Sequence, residues 1–263
     1  MKNNFKFGAV LSVLGMIAGL LLFYFLANTY NTVIDVHVGE GRSDEGNTVR
    51  IVYAVLGWWG TAAGALWAAV LYGFLKMENW AWFWGAVAAT IQLLAGFFPM
   101  IPAADGGLST PTIVVFVLAA ILWFGMLFIG GIPKRIITLT FIAGLAYVLT
   151  FIDGVAPISK YQTSAGFWNG VYVISQQVNW WGAAAWAAFI LATFKRKTWA
   201  IPMGIFAASM SMIGGYPMGI NNVFEVQRFS MFLPAPIIST GLLVYLILPS
   251  TQRMLEAWNT EGR

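Results

Sequence analysis

Gly57-Trp58-Trp59-Gly60-Thr61-Ala62-Ala63 is echoed 122 positions later by Asn179-Trp180-Trp181-Gly182-Ala183-Ala184-Ala185. The echo extends outward in both directions and keeps its order. Ile17-Ala18-Gly19-Leu20 returns as Ile142-Ala143-Gly144-Leu145. Trp80-Ala81, with Gly85 and Ala88-Ala89, returns as Trp199-Ala200, with Gly204 and Ala207-Ala208. Pro99-Met100 returns as Pro217-Met218, and Pro111 has its counterpart in Pro234 or Pro236. The offset drifts only between about 118 and 125, as short loop insertions make it do. A fixed-period echo is the signature of tandem duplication. The two repeats are expected at 1–132 and 133–263, meeting at Gly130-Gly131-Ile132-Pro133-Lys134-Arg135.

Composition sets the class. Apolar residues make up 59% of the chain and charged residues 9%, with a mean hydropathy of +0.76. A soluble surface needs roughly 25% charged residues, so the expected fold is an all-α polytopic membrane protein. The isoelectric point near 9.4 does not signal nucleic-acid binding, because the basic residues are scattered between apolar spans and act as topology markers. Without cysteine there is no disulfide framework, thiolate nucleophile or iron–sulfur cluster. Lys2 and Lys6 before an apolar run imitate a signal peptide. The run is too long for one, lacks a small-x-small cleavage site and matches the internal segment around Ile142. A retained helix is expected.

At roughly 20 residues per span, eight transmembrane helices are expected, at about 7–28, 51–75, 80–101, 111–132, 136–153, 167–194, 199–220 and 230–249. They form two tandem four-helix repeats of the same orientation. With the N-terminus inside, ten of the 14 basic residues fall on inner segments and four on outer ones. Both termini are therefore expected to be cytoplasmic, in a bacterial or archaeal cytoplasmic membrane. The halves would then be related by an axis along the membrane normal. A polar outer loop is expected at about 29–50, holding His37 in a solvated turn. The tail from about Ser250 reads as an interfacial helix anchored by Trp258.

Candidate chemistry concentrates in one repeat. Where the first has Ala54, Val55 and Gly57, the second has Gln176, Gln177 and Asn179. Asn169, Tyr172, Gln176 and Asn179 are spaced by three, four and three, so they share one helical face. A polar stripe in hydrocarbon must meet protein, water or a ligand. Trp180, Trp181 and Tyr216 are the expected aromatic walls, and Asn221, Asn222 and Glu225 the expected lid on the outer side. This pocket suits the head group of a quinone, lipid or pigment. Gln92 and Thr90, matched by Ser209 and Ser211, read as structural polarity shared by both repeats. Asp153, Glu225 and Arg228 fall at expected span ends, leaving no charge at mid-membrane depth. The prolines around the third-to-fourth helix connection of each repeat imply bent hairpins. A single histidine excludes a bis-histidine haem, and no metal site or catalytic group is expected in the membrane.

Three classes of function fit. The first is an accessory or scaffold subunit of a larger membrane complex, partnered by other membrane subunits or by copies of itself. The second is a small-molecule transporter or channel. The third is a membrane enzyme acting on a lipid, for which only Asp153, Glu225 or Arg228 offers a catalytic group.

Overall fold

The computed structural model describes residues 4–260, and among these every regular element is a helix. The chain divides into two compact units between Pro133 and Lys134. In the first, α1 (Phe5–Gly39), α2 (Ser43–Leu75), α3 (Ala81–Phe97), the short α4 (Met100–Asp105) and α5 (Ile113–Ile129) follow one another. In the second come α6 (Lys134–Val155), the short α7 (Pro157–Thr163), α8 (Gly166–Phe194), α9 (Ala200–Val226), α10 (Pro234–Ile247) and α11 (Pro249–Thr260).

Each unit closes its four main helices into a ring. In the first, α1 packs on α2 and α5, and α3 completes the ring by packing on the same two. In the second, α6 and α9 each pack on α8 and α10. Helices in lipid gain little from burying apolar surface and are held by close packing and hydrogen bonds instead. The first unit uses both. A Cβ on Gly19 would lie 2.7 Å from the Cα of Gly64, so α1 and α2 touch backbone to backbone. Beside that crossing, the fully buried Trp67 donates from Nε1 to Gln92 Oε1 at 2.8 Å. Gln92 in turn donates from Nε2 to the Gly15 carbonyl at 2.9 Å, tying α1, α2 and α3 together.

Four helices are long and apolar enough to cross a membrane: Phe5–Gly39, Ser43–Leu75, Ala81–Asp105 and Lys134–Thr163. A fifth is added if α10 and α11, bent by 75° to each other, count as one broken span. These helices mark the chain as a membrane-embedded helical protein. The other expected spans fall short of this measure for identifiable reasons. α5 has 17 residues. α8 and α9 have 29 and 27 residues, but their Asn, Gln, Ser, Tyr, Trp and Pro dilute the apolar content.

Three local expectations are corrected. The polar stretch 29–50 is helical except at 40–42, because α1 continues to Gly39 and α2 begins at Ser43. His37 is accordingly not in a solvated turn but buried in the last turn of α1. The two proline-marked connections also differ. Pro99 sits at a break between α3 and α4, whereas Pro217 lies inside an unbroken α9. Lastly, Trp258 is no interfacial anchor. It is buried, donates from Nε1 to the Thr193 carbonyl at 2.8 Å, and carries the Arg196 guanidinium 3.8 Å above its ring, docking α11 on the end of α8.

Candidate functional site

The second unit holds a file of buried polar groups where α6, α8 and α9 meet. Its deepest level is a hydrogen bond of 2.8 Å between Thr150 of α6 and Ser211 of α9. This passes beside Gly182, whose Cβ would stand 3.2 Å from Thr150 Cγ2. One helical turn along α6 comes Asp153, 1% exposed, and one turn along α8 comes Asn179, fully buried. Asn179 donates from Nδ2 to the backbone carbonyl of Asp153 at 3.3 Å. Its Oδ1 and the Asp153 Oδ2 are buried without a hydrogen-bond partner.

Two glycines make this level possible. A Cβ on Gly214 of α9 would lie 2.5 Å from Asn179 Oδ1, and one on Gly154 of α6 would lie 2.0 Å from Trp180 Cδ1. Asn179 and Trp180 therefore nest against bare backbone, of α9 and α6 respectively. Gln176 is buried one turn further along α8.

The file ends in a charged cluster about 10 Å beyond Asn179, taking 1.5 Å per residue along α8. Tyr172, buried against Met218 and Phe232, donates its hydroxyl to Glu225 Oε1 at 3.2 Å. Asn221 donates to the Tyr172 oxygen at 2.9 Å and to Glu225 Oε1 at 2.6 Å. Lys160 of α7 closes the cluster on Glu225 Oε2 at 3.1 Å.

Of the residues singled out from sequence, Tyr172, Asn221 and Glu225 thus meet directly, and Gln176 and Asn179 continue the same face inward. Asn169 stands apart and fastens the turn before α8, donating to the Tyr161 carbonyl at 2.5 Å and the Ser164 carbonyl at 3.4 Å. Asn222 accepts from Ser230 at 2.9 Å and holds the α9–α10 connection. Tyr216 bonds to Thr240 of α10 at 2.8 Å, off the file. Trp180 lies alongside it, but Trp181 is 67% exposed, two positions round the helix from Asn179.

Sequence reasoning named Asp153 but missed its burial, because a span drawn to 153 puts it at the end. The helix continues to Val155, and α7 follows with one intervening residue. The available signal was Thr150, three residues earlier on the same face. Ser211 and Gln92 do carry structural hydrogen bonds, each joining the third main helix of its unit to the first.

Searches against protein-family models, curated proteins and solved structures return no match for this chain. Geometry alone defines the class: a membrane-embedded helical protein whose second unit carries a polar file with a buried carboxyl, Asp153, part-way along it.

Proposed function

We propose that this chain is an eight-span membrane protein of two tandem four-helix repeats, both termini cytoplasmic, whose second repeat binds and passes a proton or small cation. The tandem repeat is supported by the identical cyclic packing order within each unit. The observation that carries the function is Asp153, buried with an unpartnered carboxylate oxygen, whose backbone carbonyl accepts from Asn179, a buried amide with an unpartnered Oδ1 of its own. An unpaired negative charge in hydrocarbon is costly, and ionisable groups there mark ion and proton paths. A proton or small cation on Asp153 removes the cost, and Asn179 Oδ1 offers it a second oxygen. Gln176, Tyr172 and Glu225 then form the way out, with Lys160 masking the Glu225 charge at the exposed end. This is a transporter-class function.

The test is reconstitution in liposomes carrying a pH-sensitive dye, with a potassium diffusion potential or a sodium jump imposed. The parent should move charge. Asp153→Asn, which keeps shape and removes the ionisable group, should abolish the movement, and Glu225→Gln should slow it. Equal fluxes through the parent and Asp153→Asn would sink the proposal.

A second function, as an accessory or scaffold subunit contacting a quinone, lipid or pigment, is favoured by the aromatic surface. Trp58 and Trp181 are 69% and 67% exposed, and Trp180 flanks the polar file. In that case Gln176 and Asn179 meet a head group, and mild solubilisation should bring stoichiometric partner subunits with the chain. A membrane enzyme acting on a lipid is less well supported, since Glu225 is already engaged by Lys160, Tyr172 and Asn221.

A further inference from the structure

One cluster of ligating groups lies outside this file, in the first unit. His37 is in the last turn of α1, Glu45 in the first turn of α2, and Asp105 at the end of α4. One ligand atom from each lies within 4.8 Å of the others. Clustered carboxylates are common and mean little alone, but the histidine supplies an independent fact. Its Nε2 stands 3.1 Å from the Pro102 carbonyl oxygen. A carbonyl only accepts, so Nε2 carries the proton, and in the neutral ring Nδ1 presents a lone pair. That Nδ1 is buried without a hydrogen-bond partner and faces Glu45 Oε2 at 3.7 Å. A ring with its far N–H tied to a carbonyl and its near lone pair turned to carboxylates is oriented as metal-ligating histidines are.

We propose that His37 Nδ1, Glu45 and Asp105 bind one zinc-class divalent cation at the α1–α2 hairpin, with Arg42 as the plug it displaces. Three donors, one nitrogen and two oxygens, with water completing the shell, suit zinc and its transition-metal neighbours. An imidazole ligand argues against calcium and magnesium, which take oxygen. Charge favours a divalent ion as well. Among the described residues, Arg42 is the one arginine or lysine paired with Glu40, Glu45 and Asp105, leaving two negative charges uncancelled. Its Nη1 donates to Glu45 Oε2 at 2.7 Å and also to Asp105 Oδ2, so the guanidinium engages the oxygens a metal would use. Its Nε and Nη2 both hold Glu40. The Arg42 side chain is 30% exposed, so it can swing outward with Glu40 while the metal takes the other two carboxylates. Bound metal would then join α1, α2 and α4 at one point.

The test uses the full chain in detergent, free of any polyhistidine tag and freed of metal by chelator. Zinc chloride is titrated calorimetrically, and cobalt chloride is followed by proton NMR. The parent should bind one zinc ion per chain. Cobalt should give one paramagnetically shifted, exchangeable imidazole signal, since the chain has one histidine and its Nε2–H remains in place. His37→Gln and Glu45→Gln should weaken zinc binding by at least about tenfold. Arg42→Gln should tighten it, which a purely structural Arg42 would not do. The proposal is overturned if the parent shows no saturable binding, if Glu45→Gln binds as tightly as the parent, or if Arg42→Gln binds more weakly. Because His37 is buried and its variant can misfold, the cobalt signal of the parent and the variants at the half-buried Glu45 and Arg42 decide the matter.

Discussion

At the scale of single residues, the duplicated Ile-Ala-Gly-Leu motif shows how equal sequences can carry unequal structural weight. Gly19 touches the backbone of Gly64, and a methyl group there would come within 2.7 Å of a Cα that cannot turn aside. Gly144, its counterpart, has nothing within 4 Å of where a Cβ would be. Gly19→Ala should therefore destabilise the first unit by about 1–3 kcal/mol through overpacking. Gly144→Ala should be neutral or stabilising by up to about 1 kcal/mol, the gain in helix propensity. Thermal unfolding in detergent with intrinsic tryptophan fluorescence checks both. Equal losses from the two substitutions would show that the α1–α2 crossing is looser than described. Asp153 is the reverse case. Its burial depends on which neighbours α6 meets, and that is not written in the hydropathy of its own segment.

At the scale of elements, the apolar runs located the main helices because backbone groups in lipid must be satisfied within the segment. Where polar residues took over, the same logic ended helices too soon. Residues 29–39 and 43–50 are polar yet helical, since two helices packed on each other can project beyond the hydrocarbon without needing apolar surface. Asn169, Tyr172, Gln176 and Asn179 could be read as one face from spacing alone. That Tyr216 turns to α10, or that Lys160 reaches Glu225, depends on helix rotation and on the short α7, neither of which leaves a periodic trace. α11 is a further instance: composition gave an amphipathic segment, but its dock is a carbonyl and a guanidinium on the end of α8. Trp258→Ala removes both contacts, worth about 1–3 kcal/mol together. It should expose Pro249–Thr260 to proteolysis while the remainder of the second unit stays resistant. Unchanged cleavage of that segment would rule out the dock as its restraint.

At the scale of the whole molecule, orientation is the property sequence suggests and packing leaves open. The expected ten-to-four division of basic residues would put the α1–α2 turn outside and the α8–α9 turn inside. Ser43 and Lys197 mark these two turns and are exposed. With no cysteine in the chain, Ser43→Cys and Lys197→Cys each introduce a single labelling site. In intact cells an impermeant maleimide should label Cys at 43 and reach Cys at 197 only after permeabilisation. The opposite pattern would invert the molecule, and labelling of both from outside would remove one crossing between them.

The modest hydropathy of α8 bears on how such a chain is made. A segment carrying Asn169, Gln176, Gln177 and Asn179 with four tryptophans is expected to partition poorly from the translocon when it emerges alone, since polar side chains near a helix centre oppose insertion. α6 precedes it and is apolar enough to enter by itself. It also offers the Asp153 carbonyl that Asn179 bonds to. If α8 crosses the membrane as proposed, its insertion should depend on α6, which emerges before it, and on α9, which packs on it from the other side.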